Sequence, residues 1–151
     1  MAAPAGAVTQ NATVSAKVSK PLTLTALQSL DLGTITLNPG SWSGAAAGIS
    51  QNGVFTCGTN LVCTGAPQVA KFKVTGANKA VVLITAPNVV LVDQSNPAQK
   101  LTLVVDSPGQ LTLTSSGQQG QTFNVGGSIT LNSTTDGGVY SGTLQVTVDY
   151  Q

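Results

Sequence analysis

The 151-residue chain has no histidine, no arginine and no glutamate; its six cations are all lysine and its five anions all aspartate. Only 7% of residues are charged, against roughly 25% in an ordinary soluble domain. Without histidine there is no Ser-His-Asp triad, no imidazole general acid or base, and no HExxH zinc site. A net charge of +1 from scattered lysines gives neither a nucleic-acid footprint nor a polybasic membrane patch. Long apolar runs are missing too. The longest, Ala80-Val81-Val82-Leu83-Ile84, falls far short of the ~18 residues that a membrane helix needs. Aromatics are scarce at 4%.

What remains is Thr, Ser, Gln and Asn interleaved with Val, Leu and Ile, and a mean hydropathy of +0.23. Disorder is excluded, because this is alternation and not blocks of charge. The length suits a single domain with one sizeable core. The start, Met1-Ala2-Ala3-Pro4-Ala5-Gly6-Ala7, has no basic stretch and no long apolar stretch. It reads as the end of a cleavage region, and the expectation is a mature exported chain in which Met1 is an added or annotated start.

Cys57 and Cys63 enclose Gly58-Thr59-Asn60-Leu61-Val62. That spacing suits a hairpin disulfide formed in an oxidising compartment. A metal site, for which further ligands are missing, and a pair of free buried thiols are the alternatives.

Apolar residues recur with period two, which puts them on one face of a strand. Val8, Ala12, Val14, Ala16 and Val18 alternate with polar neighbours, Gln10 being the exception. Pro21 interrupts; Leu22, Leu24 and Leu27 form a second strand, and Leu30, Leu32, Ile35 and Leu37 follow around Gly33. Residues 38–53 read as loop, with one helical turn available to Ala45-Ala46-Ala47. Further strands are expected at 54–57, 69–75, 80–86, 89–92, 101–105 and 111–114, separated by Gly-, Asn- and Pro-containing turns. Phe123, Val125, Gly127, Ile129 and Leu131 share one face, as do Tyr140, Gly142, Leu144, Val146, Val148 and Tyr150. Many short strands with turns between them, and no helical period, predict one all-β domain, an antiparallel β-sandwich. Residues 7–18 are then either its first strand or a strand offered to the sheet edge of another subunit.

The run Gly138-Val139-Tyr140-Ser141-Gly142-Thr143-Leu144-Gln145-Val146-Thr147-Val148-Asp149-Tyr150-Gln151 resembles the end of a chaperone–usher pilin. It has alternating apolar residues, a penultimate tyrosine, and a glycine fourteen positions from the end. Gly-Val-Tyr-Ser-Gly-Thr is also similar to the spore-coat-U-like and DUF4402 secreted bacterial families. Leu30-Asp31-Leu32-Gly33-Thr34-Ile35 is similar to their Leu-x-Phe-Gly strand, with Leu32 in place of Phe. The resemblance implies an immunoglobulin-like sandwich that lacks its last strand and is completed by a donor strand from a neighbouring subunit. Residues 1–18 become the donor extension, carried by Val8, Ala12, Val14, Ala16 and Val18, and residues 19–151 the pilin-like domain. Leu144, Val146, Val148 and Tyr150 are expected to line the groove. The implied partners are copies of the same chain, a periplasmic chaperone and an outer-membrane usher, with no nucleic acid and no membrane insertion. The implied role is a structural subunit of an extracellular filament, exported through the periplasm, with no enzyme activity and no cofactor or metal. The short, late Cys57–Cys63 spacing departs from the longer, earlier loop usual in that family. The competing reading is a monomeric secreted adhesive or carbohydrate-binding module, for which Trp42 and Tyr140 are the candidate stacking residues.

Weaker patterns have bland readings. Asn11-Ala12-Thr13 and Asn132-Ser133-Thr134 match a glycosylation acceptor but read as strand and turn residues. Asp31, Asp93, Asp106, Asp136 and Asp149 are dispersed and read as turn or strand-end residues, neither a glycosidase pair nor a calcium site. A lysine–asparagine isopeptide bond is not expected either.

Overall fold

The computed structural model describes residues 6–114 and 119–151. The expected cleavage-region remnant at 1–5 lies outside the described residues. No described residue is helical, and thirteen strands follow one another. They are β1 (Thr23–Gln28), β2 (Thr34–Leu37), β3 (Ala45–Ile49), β4 (Phe55–Cys57), β5 (Leu61–Thr64), β6 (Ala70–Thr75) and β7 (Val81–Thr85). Then come β8 (Val89–Asp93), β9 (Lys100–Asp106), β10 (Gln110–Thr112), β11 (Gln121–Leu131), β12 (Tyr140–Ser141) and β13 (Thr147–Tyr150). Every pairing is antiparallel.

The 11-residue strand β11 organises the main sheet. On one flank it pairs first with β6, Phe123 opposite Phe72, and then with β3, Ile129 opposite Ala47. On the other flank residues 126–128 pair with β9. The resulting eight-stranded sheet runs β1-β6-β11-β9-β8-β12, with β3 and β4 branching from β11, and it curls like half a barrel. Two smaller sheets, β10-β7-β13 and β2-β5, complete the fold.

Alternation along β11 drops Phe123, Val125, Ile129 and Leu131 into the interior. The first two join a cluster with Phe72, Val74, Val82, Ile84 and Leu113, where the rings of Phe72 and Phe123 stack at 5.5 Å. The other two join Ala45, Ala47, Leu61, Val89 and Leu103 in a second cluster. Leu30, Val105 and Leu144 pack on both and bind them into one interior.

The structure corrects the sequence reading in two places. Residues 45–49, expected to be loop or a helical turn, form β3 in the heart of the sheet, with Ala47 fully buried. Small residues are there because the neighbouring strand is close. A Cβ on Gly48 would lie 2.4 Å from that of Ser128. The disulfide forms, but it does not close a hairpin. Cys57 on β4 belongs to the large sheet and Cys63 on β5 to the β2-β5 sheet, so the bridge ties two sheets together. Leu27 lies in the expected strand but is half exposed, on the same face as Thr23 and Thr25, beside a register shift between Ala26 and Gln28.

Two outcomes follow. Phe123→Ala removes a stacked, buried ring and costs about 3–5 kcal/mol, read as a lower denaturant midpoint. Replacing Cys57 and Cys63 together by serine opens a short loop and costs on the order of 2 kcal/mol; an unchanged melting temperature on reduction would show that the bridge constrains nothing.

Candidate functional site: a groove between two unpaired edges

The C-terminal run keeps its period throughout. Tyr140, Leu144, Val146, Val148 and Tyr150 are half-buried, while Ser141, Thr143, Gln145, Thr147 and Asp149 are exposed. Its backbone is held only at the ends. Residues 140–141 pair with β8, residues 147–150 pair with β7, and residues 142–146 between them are in no strand. Both β12 and β13 are terminal in their sheets, so this run presents a free edge.

The N-terminal strands present another. Among the described residues β1 pairs only with β6 and β2 only with β5. Between them the chain passes from one sheet to the other at Gly33, whose φ of 75° suits glycine. The Asp31 carboxylate accepts the Gly33 N–H at 2.8 Å and fixes this turn. In consequence Leu30, Leu32, Ile35 and Leu37 are half-buried and point toward the second core cluster.

A cavity of about 580 Å³ lies between the two edges. One wall runs from Ala26 to Leu37 and the other from Thr135 to Leu144. The floor is apolar: Phe72, Val89, Leu91, Leu101, Leu103, Ile129 and Leu131. Of the expected groove residues, Leu144 lines this cavity. Val146, Val148 and Tyr150 continue the same face but pack against the first core cluster beside Leu22 and Leu24.

At that end the two edges are pinned together. The Tyr150 hydroxyl donates to the Lys20 carbonyl and accepts the Ala77 N–H at 2.8 Å. The opposite end of the cavity is polar. There the Tyr140 hydroxyl donates to the Asp136 carbonyl at 2.7 Å, and the buried Asp93 carboxylate accepts the Ser95 N–H at 2.9 Å. Gly138 packs directly on Asp93, where a Cβ would lie 2.4 Å from its carboxylate oxygen. Partial burial, then the charges of Asp93 and Asp136, hold the Tyr140 phenol above its ordinary pKa of 10.0.

Residues 6–20 belong to no strand and every one is exposed. Val8, Val14 and Val18 are 85, 92 and 90% exposed, although their alternation is that of a strand with a buried face. Ala12 and Ala16, on the same face, are exposed as well.

The other candidates are structural. Trp42 lies outside the cavity, half-buried against the second core cluster, with its indole N–H donating to the Asn38 carbonyl at 2.9 Å. Asn132 organises a turn by accepting the Thr134 N–H at 2.9 Å. Asp106 accepts the Gln51 N–H at 2.8 Å. Sequence reasoning did not assign the β1–β2 wall or the presence of Asp31 and Asp136 in one cavity lining. The only signal was the apolar spacing around Gly33, which marks a strand without saying that its outer edge is free.

The folded state binds the Tyr140 proton more tightly than the unfolded chain does. The stability linked to it is therefore complete below the ordinary tyrosine pKa and is lost as pH rises through the raised value. In an ultraviolet titration Tyr140 is expected to ionise above 10.0, and Asp136→Asn to lower that midpoint part of the way.

No curated protein and no solved structure matches the chain. Residues 22–150 match the family described as Domain of unknown function (DUF4402), a span that takes in every strand, both edges and the cavity, and the chain belongs to that family.

Proposed function

We propose that this protein is a structural, major-pilin-like subunit of an extracellular bacterial filament, assembled by donor-strand exchange. The carrying observation is the cavity between two unpaired edges, accompanied on the same chain by an exposed segment patterned as a strand. Volume alone does not choose the occupant, since small-molecule pockets span about 300–1,000 Å³. The character of the walls supports a strand. Each edge carries main-chain N–H and C=O groups without a strand partner, and the floor is apolar. An extended peptide satisfies both demands at once. In this reading the fold is an immunoglobulin-like sandwich short of one strand.

The donor is residues 7–18 of another copy. Each fully buried valine contributes roughly 1.5–3 kcal/mol, and Val8, Val14 and Val18 are almost wholly exposed in the free chain. Geometry also favours a chain of copies over a closed pair. The segment leaves the body at Lys20, beside Tyr150, whereas the cavity lies toward the other end of both edges. An interface whose two halves sit at opposite ends is head-to-tail and propagates. Before assembly, a periplasmic chaperone occupies the groove and an outer-membrane usher exports the subunit. No enzyme activity belongs to this reading. A monomeric adhesive module is the rival; of its two stacking candidates, Trp42 is a half-buried cap on the core, while Tyr140 lines the cavity with its hydroxyl donated to the Asp136 carbonyl.

Electron microscopy of the purified protein is expected to show filaments. Val14→Asp places an unpaired charge in the apolar groove and is expected to abolish them while the body still melts cooperatively. Filaments from Val14→Asp, or discrete wild-type particles with residues 7–18 free, would overturn the proposal.

A further inference from the structure

We infer that the polar end of the groove recognises the incoming segment by charge: Lys17 and Lys20 of one copy face Asp31 and Asp136 of the next, and this contact fixes the direction and register of the inserted strand. The inference rests on the filament reading above.

Charge is scarce enough here for its placement to matter. Residues 6–20 contain two charged side chains, Lys17 and Lys20, both cations and both close to the body. Residues 7–16 have none. The cavity is lined by Asp31 and Asp136, both exposed, and by no lysine. Asp93 lies just beneath the same wall, under Gly138. The raised pKa of Tyr140, owed after burial to Asp93 and Asp136, reports the negative potential at this end. The groove thus has an acidic mouth and a neutral floor, and the segment has a basic root and a neutral body.

Direction follows from that match. A segment entering at the mouth and running antiparallel to the C-terminal run sets Val18 near Tyr140 and leads its uncharged residues toward Leu144, where the cavity wall ends. Lys17 and Lys20 then stay at the mouth, and the uncharged part fills the apolar interior. The reverse direction carries both lysines to the far end. The acid there, Asp149, belongs to the exposed set of its strand and does not line the cavity.

The test uses the full chain, diluted from denaturant and followed by light scattering and microscopy. Assembly is expected to slow at least about tenfold between about 0.01 and about 1 M salt, as the Debye length falls from about 30 to about 3 Å. Lys17→Asp and Asp136→Lys are each expected to slow assembly, and the two together to restore it. Independently of rates, Lys17→Cys with Asp136→Cys is expected to give a covalent ladder on oxidation, and Val8→Cys with Asp136→Cys none. A ladder from the Val8 pair, or wild-type filaments that form at the same rate at all salt concentrations with no rescue by the charge swap, overturns the inference and leaves the filament reading standing. A wild-type chain that makes no filaments overturns both.

Discussion

The edges of β1 and of residues 142–146 carry backbone donors and acceptors that no strand among the described residues meets, and an apolar floor lies open between them. Exposed edges are ordinarily blunted by charge, bulges or covering loops. Here β1 carries one register shift, between Ala26 and Gln28, but among the described residues no strand pairs with the edge beside the cavity. The rest of the molecule accommodates that exposure. The floor is built from members of both core clusters, which share Leu30, Val105 and Leu144. Two of those three residues stand in the groove walls, so the interior and the groove are one apolar body, continuous through its walls.

Much of this architecture was legible in the residues. β6, β9, β11 and the C-terminal run alternate cleanly because each has one buried and one wet face, and period two survives wherever that asymmetry does. The face of Tyr140, Leu144, Val146, Val148 and Tyr150 was readable even where no hydrogen-bonded ladder supports it. β3 was not readable. Its Ala-Ala-Ala-Gly-Ile composition resembles a loop or a helical turn, and only the crowding of Gly48 against Ser128 explains why such small residues sit in a central strand. The sheet-to-sheet disulfide was equally hidden, since a five-residue gap says nothing of which strands pair. At the site, the C-terminal wall could be read from one segment. The acidic mouth could not, because Asp31 and Asp136 are 105 residues apart and only topology brings them to one cavity.

Low charge and the open groove belong together. Covering an apolar surface gains from Val, Leu and Thr and loses from each ion that must be stripped of water. The few aspartates are accordingly spent on turns and ends. Asp31 shapes the bend at Gly33, Asp93 supports the loop after β8, and Asp106 holds Gln51.

The Tyr150 hydroxyl joins the Lys20 carbonyl to the Ala77 N–H, so the root of the N-terminal segment and the last strand are anchored at one point. Any pull on residues 6–20 reaches the body there. It is carried into β1 along its axis and, through Tyr150, into β13 and its partner β7. Strands loaded along their length must break many backbone hydrogen bonds together, whereas strands peeled from one end break them singly. That single phenol therefore ties the base of the N-terminal segment to two strands at once, so a load on the segment is shared between β1 and the β13–β7 pair.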